Sequence, residues 1–370
     1  MTAKVIRMVP ELAALSDEWQ TLLDASAART IFLTPDWMLA WLDVHDVAPL
    51  VVSIRDESGR LIGLAPHYIA EYGLVQVVRY RVLRMLGDTD CGAEYQTWIA
   101  RAGNEARVHV EIARTLARMQ GEWDLAWMPR LNAWTGAGEP LVDALRAEGF
   151  LVNTRSGVFS AIALPERFDA YLARLSANRR QQVRRMSRRI LGMPGTDIRK
   201  VRTEDELEPA LDALFALHGK RWQAVGEQGA FVKRPREKAF YQRFARRALE
   251  RGWLALYVLS ADGEPKAAQI GYVYGDAFLQ LQEGFDPEFS PHVGNVLRAH
   301  VIEDCIAQGL REYDFLGGIT DHKRRWLAEE RFGADVLVAV PRLKNMPVVR
   351  GGVWPTGRYL RPRAAVAASA

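Results

Sequence analysis

Hydrophobic positions along the chain follow two rhythms. From Pro10 to Ala25, Leu12, Leu15, Trp19, Leu22 and Leu23 share one helical face, so the spacing predicts a single helix. Thr34-Pro35-Asp36 opens another, with Thr34 as N-cap and Pro35 in the first turn. The period then drops to two. Leu50–Ile54 and Leu61–Ile69 read as strands around the turn Asp56–Gly59, followed by strands at Leu74–Leu86, Tyr95–Ile99 and Leu125–Met128. Helices fall at Ala106–Met119 and Leu141–Glu148, the second closed by Gly149. Strands near Phe150–Asn153 and Phe159–Leu164 end this half.

A basic helix is predicted over Phe168–Leu191, stopped by Met193-Pro194-Gly195. Helices at Glu204–Trp222 and Arg236–Arg251 follow. Strands come next at Trp253–Leu259, Ala267–Tyr274 and Ala277–Phe285. A helix from Gly294 to Gln308, a strand at Arg311–Phe315, a short helix at Asp321–Ala328 and a strand at Ala334–Val340 complete the set. The hairpin at 50–69 is echoed at 253–274, a sign of internal duplication. The pattern predicts an α/β (α+β) chain of two similar units, 1–165 and 166–344. A basic and mobile tail at 345–370 follows, since no acidic residue occurs after Asp335.

Composition narrows the class. The 370 residues are 49% hydrophobic and 25% charged, which excludes a disordered chain and suits about two domains. Two cysteines, Cys91 and Cys305, exclude a disulfide scaffold and a cysteine-based zinc module. No His/Cys/Asp/Glu spacing suggests a metal. No apolar run approaches the roughly 18 residues of a membrane span, and no signal core opens the chain, so the expected location is the cytoplasm.

Charge is asymmetric. Residues 1–170 carry 16 Lys/Arg against 22 Asp/Glu, a balance of −6, and residues 171–370 carry 33 against 23, a balance of +10. The excess includes Arg174, Arg179, Arg180, Arg184, Arg185, Arg188 and Arg189, and no acid lies between Asp169 and Asp197. A polyanionic partner is implied: a phosphorylated cofactor, RNA such as tRNA, or an anionic membrane surface. DNA is not expected. The tail, with six Lys/Arg plus Trp354 and Tyr359 in 342–363, is a second candidate for peripheral membrane contact.

Candidate chemistry lies in the second half. The loop His292-Val293-Gly294-Asn295 enters a helix, whose N-terminus offers unpaired N–H groups to a pyrophosphate, and Gly294 leaves room for one. It has neither P-loop nor dinucleotide spacing. Glu283 precedes this loop on a strand; in a dry cleft its pKa would rise and it could take a proton from an amine or hydroxyl. Asp314 ends a strand before Gly317-Gly318, Lys323 follows, and His218 closes a helix. Each also has a purely structural reading: a turn cap for Asp314, a solvated cation for Lys323, a helix C-terminal histidine for His218.

The order IFLTPDWMLAWL, RLSANRRQQVRRMSRRIL, LHGKRW, DGEPKAAQIGYVYGDAFLQLQEGFDPEFSPHVGNVL and YDFLGG-x4-KRRW resembles an acetyltransferase-like family that includes the cellulose-biosynthesis CelD-type proteins. That family lies in the GNAT superfamily, close to the FemAB-like double-GNAT transferases. The resemblance spans roughly residues 30–340 and is most specific over 171–330. It implies two tandem GNAT-like units, each a mixed, mostly antiparallel sheet flanked by helices. It further implies an N- or O-acyltransferase of polysaccharide or envelope biosynthesis with an acyl-CoA donor. Phe285, His292, Val293, Gly294, Asn295 and Arg298 would then bind the donor. Glu283 would be the base, Gly284 or Phe285 would supply a backbone N–H to the carbonyl, and Asp314, Lys323 and His218 would line the acceptor side. The loop lacks the full Q/R-x-x-G-x-G/A pattern of the superfamily. That departure keeps open an aminoacyl-tRNA donor, as in FemAB-like relatives, or an inactive scaffold.

Overall fold

The computed structural model describes residues 1–75, 77–132, 138–356 and 359–363. In chain order the first elements are β1 (Thr2–Ile6), α1 (Val9–Ala13), α2 (Ser16–Asp24), α3 (Pro35–Leu42), β2 (Pro49–Arg55), β3 (Leu61–Leu74), β4 (Val78–Met85) and β5 (Ile99–Ala100). Then come α4 (Glu105–Arg118), β6 (Leu125–Asn132), α5 (Gly138–Ala147), β7 (Leu151–Ala163), α6 (Phe168–Arg174), α7 (Ala177–Leu191), β8 (Thr196–Lys200), α8 (Glu204–Gln223), α9 (Ala230–Lys233) and α10 (Pro235–Glu250). The rest are β9 (Leu254–Ala261), β10 (Glu264–Tyr274), β11 (Ala277–Phe285), α11 (Val293–Ala307), β12 (Glu312–Gly317), α12 (Asp321–Arg324), β13 (Glu329–Ala339), α13 (Met346–Arg350) and β14 (Leu360–Pro362).

Two compact units result: Met1–Thr89, Ala93–Gly157 and Phe332–Ala370 in one, Asp90–Gly92 and Val158–Arg331 in the other. The first has strands in the order β1-β2-β3-β4-β6-β13. All these neighbours are antiparallel except β4 and β6. Part of its core gathers Tyr72, Tyr80, Val82, Leu125, Leu337, Val348 and Leu360. Residues 345–363, read from the sequence as a tail, carry α13 and β14, and Leu360 is buried in register with Leu74. Residues 364–370 lie outside the described residues.

The second unit has the order β7-β12-β11-β10-β9-β8, antiparallel except for β11 with β12. Its core joins Tyr257, Phe278, Val293, Leu297, Ile302, Tyr313 and Trp326 to the inner faces of α6 and α7. Two expected helices are each split. Leu15 interrupts 10–25, so α1 ends before α2 begins. Leu175 adopts extended backbone between α6 and α7, and Ser176 then caps α7 by accepting the Arg179 N–H at 3.3 Å. The strand expected at 95–99 is reduced to Ile99–Ala100, and Tyr95 has φ +60°. Thr203 and Glu206 form a capping box that starts α8.

Among the described residues no helix is long and apolar enough to cross a membrane. Among the same residues no group of acidic, histidine and cysteine side chains is placed to hold a metal ion.

Candidate functional site

The parallel strands β11 and β12 pair only at Ala277–Glu312, Phe278–Tyr313 and Leu279–Asp314. Beyond Leu279 they part. On its other edge β11 slips register between Ile270 and Gly271 of β10, leaving Leu281 as an extra residue. The bulge re-aims the strand where it leaves β12. The gap is furnished with polar side chains. Gln269 Nε2 donates to the Tyr313 hydroxyl at 2.8 Å, and that hydroxyl donates to Gln280 Oε1 at 2.7 Å. Gln280 Nε2 donates to Glu283 at 3.2 Å.

Glu283 is the hub. It accepts from Arg221 at 2.8 Å and from the buried Arg298. Burial pushes its carboxyl up, but the Arg298 and Arg221 guanidiniums outweigh that effect and hold it below the usual range. The raised pKa expected from sequence is therefore corrected: two cations, not a dry apolar wall, surround this carboxylate. Arg298 also contacts His322 Nε2 at 2.6 Å. Desolvation of that ring and the adjacent guanidinium lower the His322 pKa to about 4, although the residue as a whole sits at an exposed rim.

Arg179 reaches this cluster from α7. Its guanidinium lies 4.5 Å from the centre of the buried Trp326 ring, with Arg298 at 5.6 Å from the same ring. Burial and the neighbouring charges of Arg298 and Arg325 lower its pKa. Two arginines thus hold the carboxylate, and Arg179 adds a third guanidinium beside Arg298.

The helix after β11 supplies a second cationic feature. The Val293 N–H bonds Ser290 O at 3.3 Å, while the Gly294 and Asn295 N–H groups have no acceptor among the described residues. The first turn holds no acid, so the dipole end of this 15-residue helix is uncompensated. His292 is the N-cap residue, and Val293 points into the core. A Cβ at Gly294 would stand 3.0 Å from the Phe285 ring, which Arg221 flanks from 5.3 Å. The donor-binding residues inferred from sequence thus fall into two sets. Phe285, His292, Gly294 and Asn295 border the open helix end, whereas Val293 and Arg298 are buried.

The remaining candidates have structural partners. Lys323 Nζ donates to the carbonyls of Phe315, Gly317 and Gly318 at 3.0, 2.7 and 2.8 Å. Asp314 Oδ1 accepts the Leu316 N–H at 2.6 Å and stabilises a turn with φ +60° at Leu316. His218 is buried, and its Nε2 accepts from Trp222 at 3.0 Å. Burial and Arg221 lower its pKa to about 4. Sequence reading missed Arg221, Gln269, Gln280 and Tyr313 as members of the network. Gln280 and Glu283 are three apart on one strand and share a side only because of the bulge, which no spacing rule foresees.

A family model described as an acetyltransferase (GNAT) domain matches residues 177–324, which contain α7, the bulged strand and the helix end. The solved structure of FemX is similar over 91% of this chain and 97% of its own, with a TM-score of 0.64 at 11% identity. The C-terminal domain of a lysylphosphatidylglycerol synthetase from Agrobacterium fabrum is similar over 92% and 96%, with a TM-score of 0.54 at 12% identity. L-PGS from Bacillus licheniformis follows over 90% and 96%, with a TM-score of 0.51 at 12% identity. No curated protein matches the chain by sequence. At such identities the likeness is one of fold: a GNAT-like mixed α/β architecture.

Proposed function

We propose that the second unit transfers an acyl group from an acyl-CoA thioester to an amine. The observation that carries this reading is the gap between β11 and β12 beside the open amides of Gly294 and Asn295. The donor's pyrophosphate would rest on those amides and on the cationic end of α11. Its thioester would enter the gap, where β11 past Leu279 has no ladder partner in β12 and the Phe285 N–H, which faces away from β10, is offered to the carbonyl oxygen, while the Gly284 N–H is turned to β10.

The acceptor nitrogen attacks the thioester carbon, the C–S bond breaks, and the CoA thiolate leaves and takes up a proton. Glu283 is ion-paired, and His218 and His322 are depressed to about 4. Such a site suits a nucleophile that is neutral before attack and becomes strongly acidic during it, which describes an amine better than a hydroxyl. Glu283, at the centre of the network, is the proposed recipient of that proton. The resemblance to CelD-type proteins suggests an acceptor from surface-polysaccharide or envelope biosynthesis.

A thermal-shift titration with free CoA, acetyl-CoA and longer acyl-CoAs tests the reading. A saturable rise in Tm, abolished in Gly294→Trp, is expected. No shift with any CoA would overturn the acyl-CoA donor and favour an aminoacyl-tRNA donor or an inactive scaffold.

A further inference from the structure

Helix α7 has two unlike faces. Val183, Met186 and Ile190 are buried, and Arg179 follows them inward onto Trp326. At 100° per residue the opposite half-turn carries Arg180, Arg184, Arg185, Arg188 and Arg189. Of these, Arg184 has an ion pair, at 3.5 Å to the exposed Asp169. Arg180 donates to the Ala173 carbonyl at 3.2 Å. Arg180, Arg185, Arg188 and Arg189 have no carboxylate partner among the described residues. The side chains frame a shallow hollow of about 430 Å³ lined by Ala177, Arg180, Gln181, Arg184, Arg185 and Arg188. Two apolar side chains stand exposed at the same end of the segment, Leu191 at 40% and Met193 at 41%. Leu191 falls on the arginine face.

We propose that this face of α7 docks on an anionic phospholipid surface. A 15-residue helix is about 22 Å long and presents its row of guanidiniums to a plane of phosphates. Each arginine near such a surface contributes attraction, and the field falls off within a Debye length, so the row must lie against the membrane. Leu191 and Met193 give the orientation, with the C-terminal end of the helix entering the headgroup layer. An RNA partner would leave both exposed, and the arginine face carries no aromatic side chain on which bases could stack. The surface is independent of the acyl-transfer reading.

The test is co-sedimentation of the full chain with vesicles of phosphatidylcholine, alone and with roughly one-third phosphatidylglycerol. Binding is expected on the anionic vesicles only, and it should weaken with added salt. Arg185→Glu with Arg188→Glu should lower the affinity at least about tenfold. Arg236→Glu with Arg243→Glu, the same charge change on exposed positions of α10, should lower it less than about threefold. Leu191→Ser with Met193→Ser should weaken binding without altering its salt dependence, and all variants should keep the parental Tm. Equal binding to neutral vesicles, or equal loss from the α7 and α10 reversals, would overturn the proposal. So would absence of vesicle binding together with tRNA binding that the α7 reversal abolishes, which would assign the face to RNA.

Discussion

The Glu283 carboxylate and the Arg298 guanidinium form an ion pair almost sealed from solvent, their side chains 16% and 3% exposed. Arg221 binds the other carboxylate oxygen at 2.8 Å. Removing the shared anion leaves a buried cation without compensation. Glu283→Gln is expected to cost about 3–5 kcal/mol in chemical denaturation, and Glu283→Gln with Arg298→Met should cost less than the single change. The pair also has an acid limb. Because the folded pKa lies below the ordinary 4.5, its stabilisation is complete above that value and is lost as pH falls further. Loss of activity in Glu283→Gln with unchanged stability would assign the carboxylate to proton transfer alone.

Two glycines near this pair should differ sharply. A Cβ at Gly284 would lie 2.3 Å from the His218 backbone nitrogen and 2.6 Å from the Leu217 carbonyl carbon, so strand and helix backbones touch there. Backbone cannot yield, and Gly284→Ala is expected to lose at least about 2 kcal/mol. At Gly294 the nearest atom is an edge carbon of the Phe285 ring at 3.0 Å, which can turn aside. Gly294→Ala should cost less than about 1 kcal/mol, as read from paired urea titrations.

Most of the elements in both units were legible in the sequence because they depend on local signals. Thr34 with Pro35 marked α3, and Gly309 marked the end of α11. The split between α6 and α7 was also signalled, by Ser176, but the continuous arginine run hid it. The site was legible in part. Glu283 and the 292–295 loop were singled out from their place before a helix. Arg221 lies 62 residues from its partner Glu283, and a long-range ion pair leaves no local pattern. The sign of the Glu283 pKa shift was missed for the same reason, since it is set by residues that only the fold brings near.

Lys323 offers a test of structure against ligand binding. Its three ammonium donors are matched to three carbonyls at the C-terminal end of β12 and just past it. Lys323→Met frees those carbonyls and should destabilise by about 1–3 kcal/mol. Its affinity for CoA, measured by calorimetry below the variant's melting range, should stay within about twofold of the parent, because no donor remains to meet a phosphate. A loss of CoA affinity beyond tenfold with unchanged stability would reverse this assignment.

Stability should also fall on mild acidification, before the Glu283 pair is touched. His67, His109 and His218 are buried, and each has its pKa lowered to about 4, chiefly by desolvation. The unfolded chain takes up protons at these side chains from about pH 6.5 downward, and the folded chain does not until near pH 4. The unfolded state therefore binds more protons across that interval, and stability declines as pH is lowered through it. At pH 5 the penalty is on the order of 2 kcal/mol for each of the three. Among the groups near His218, Glu283 stays ionised above its lowered pKa. The His322 ring, also lowered to about 4, adds to the decline; urea midpoints taken from pH 7 to pH 5 should show it, and His218→Gln should remove about a quarter of it. An unchanged slope in that variant would mean that His218 is protonated in the folded protein and charged beside Arg221.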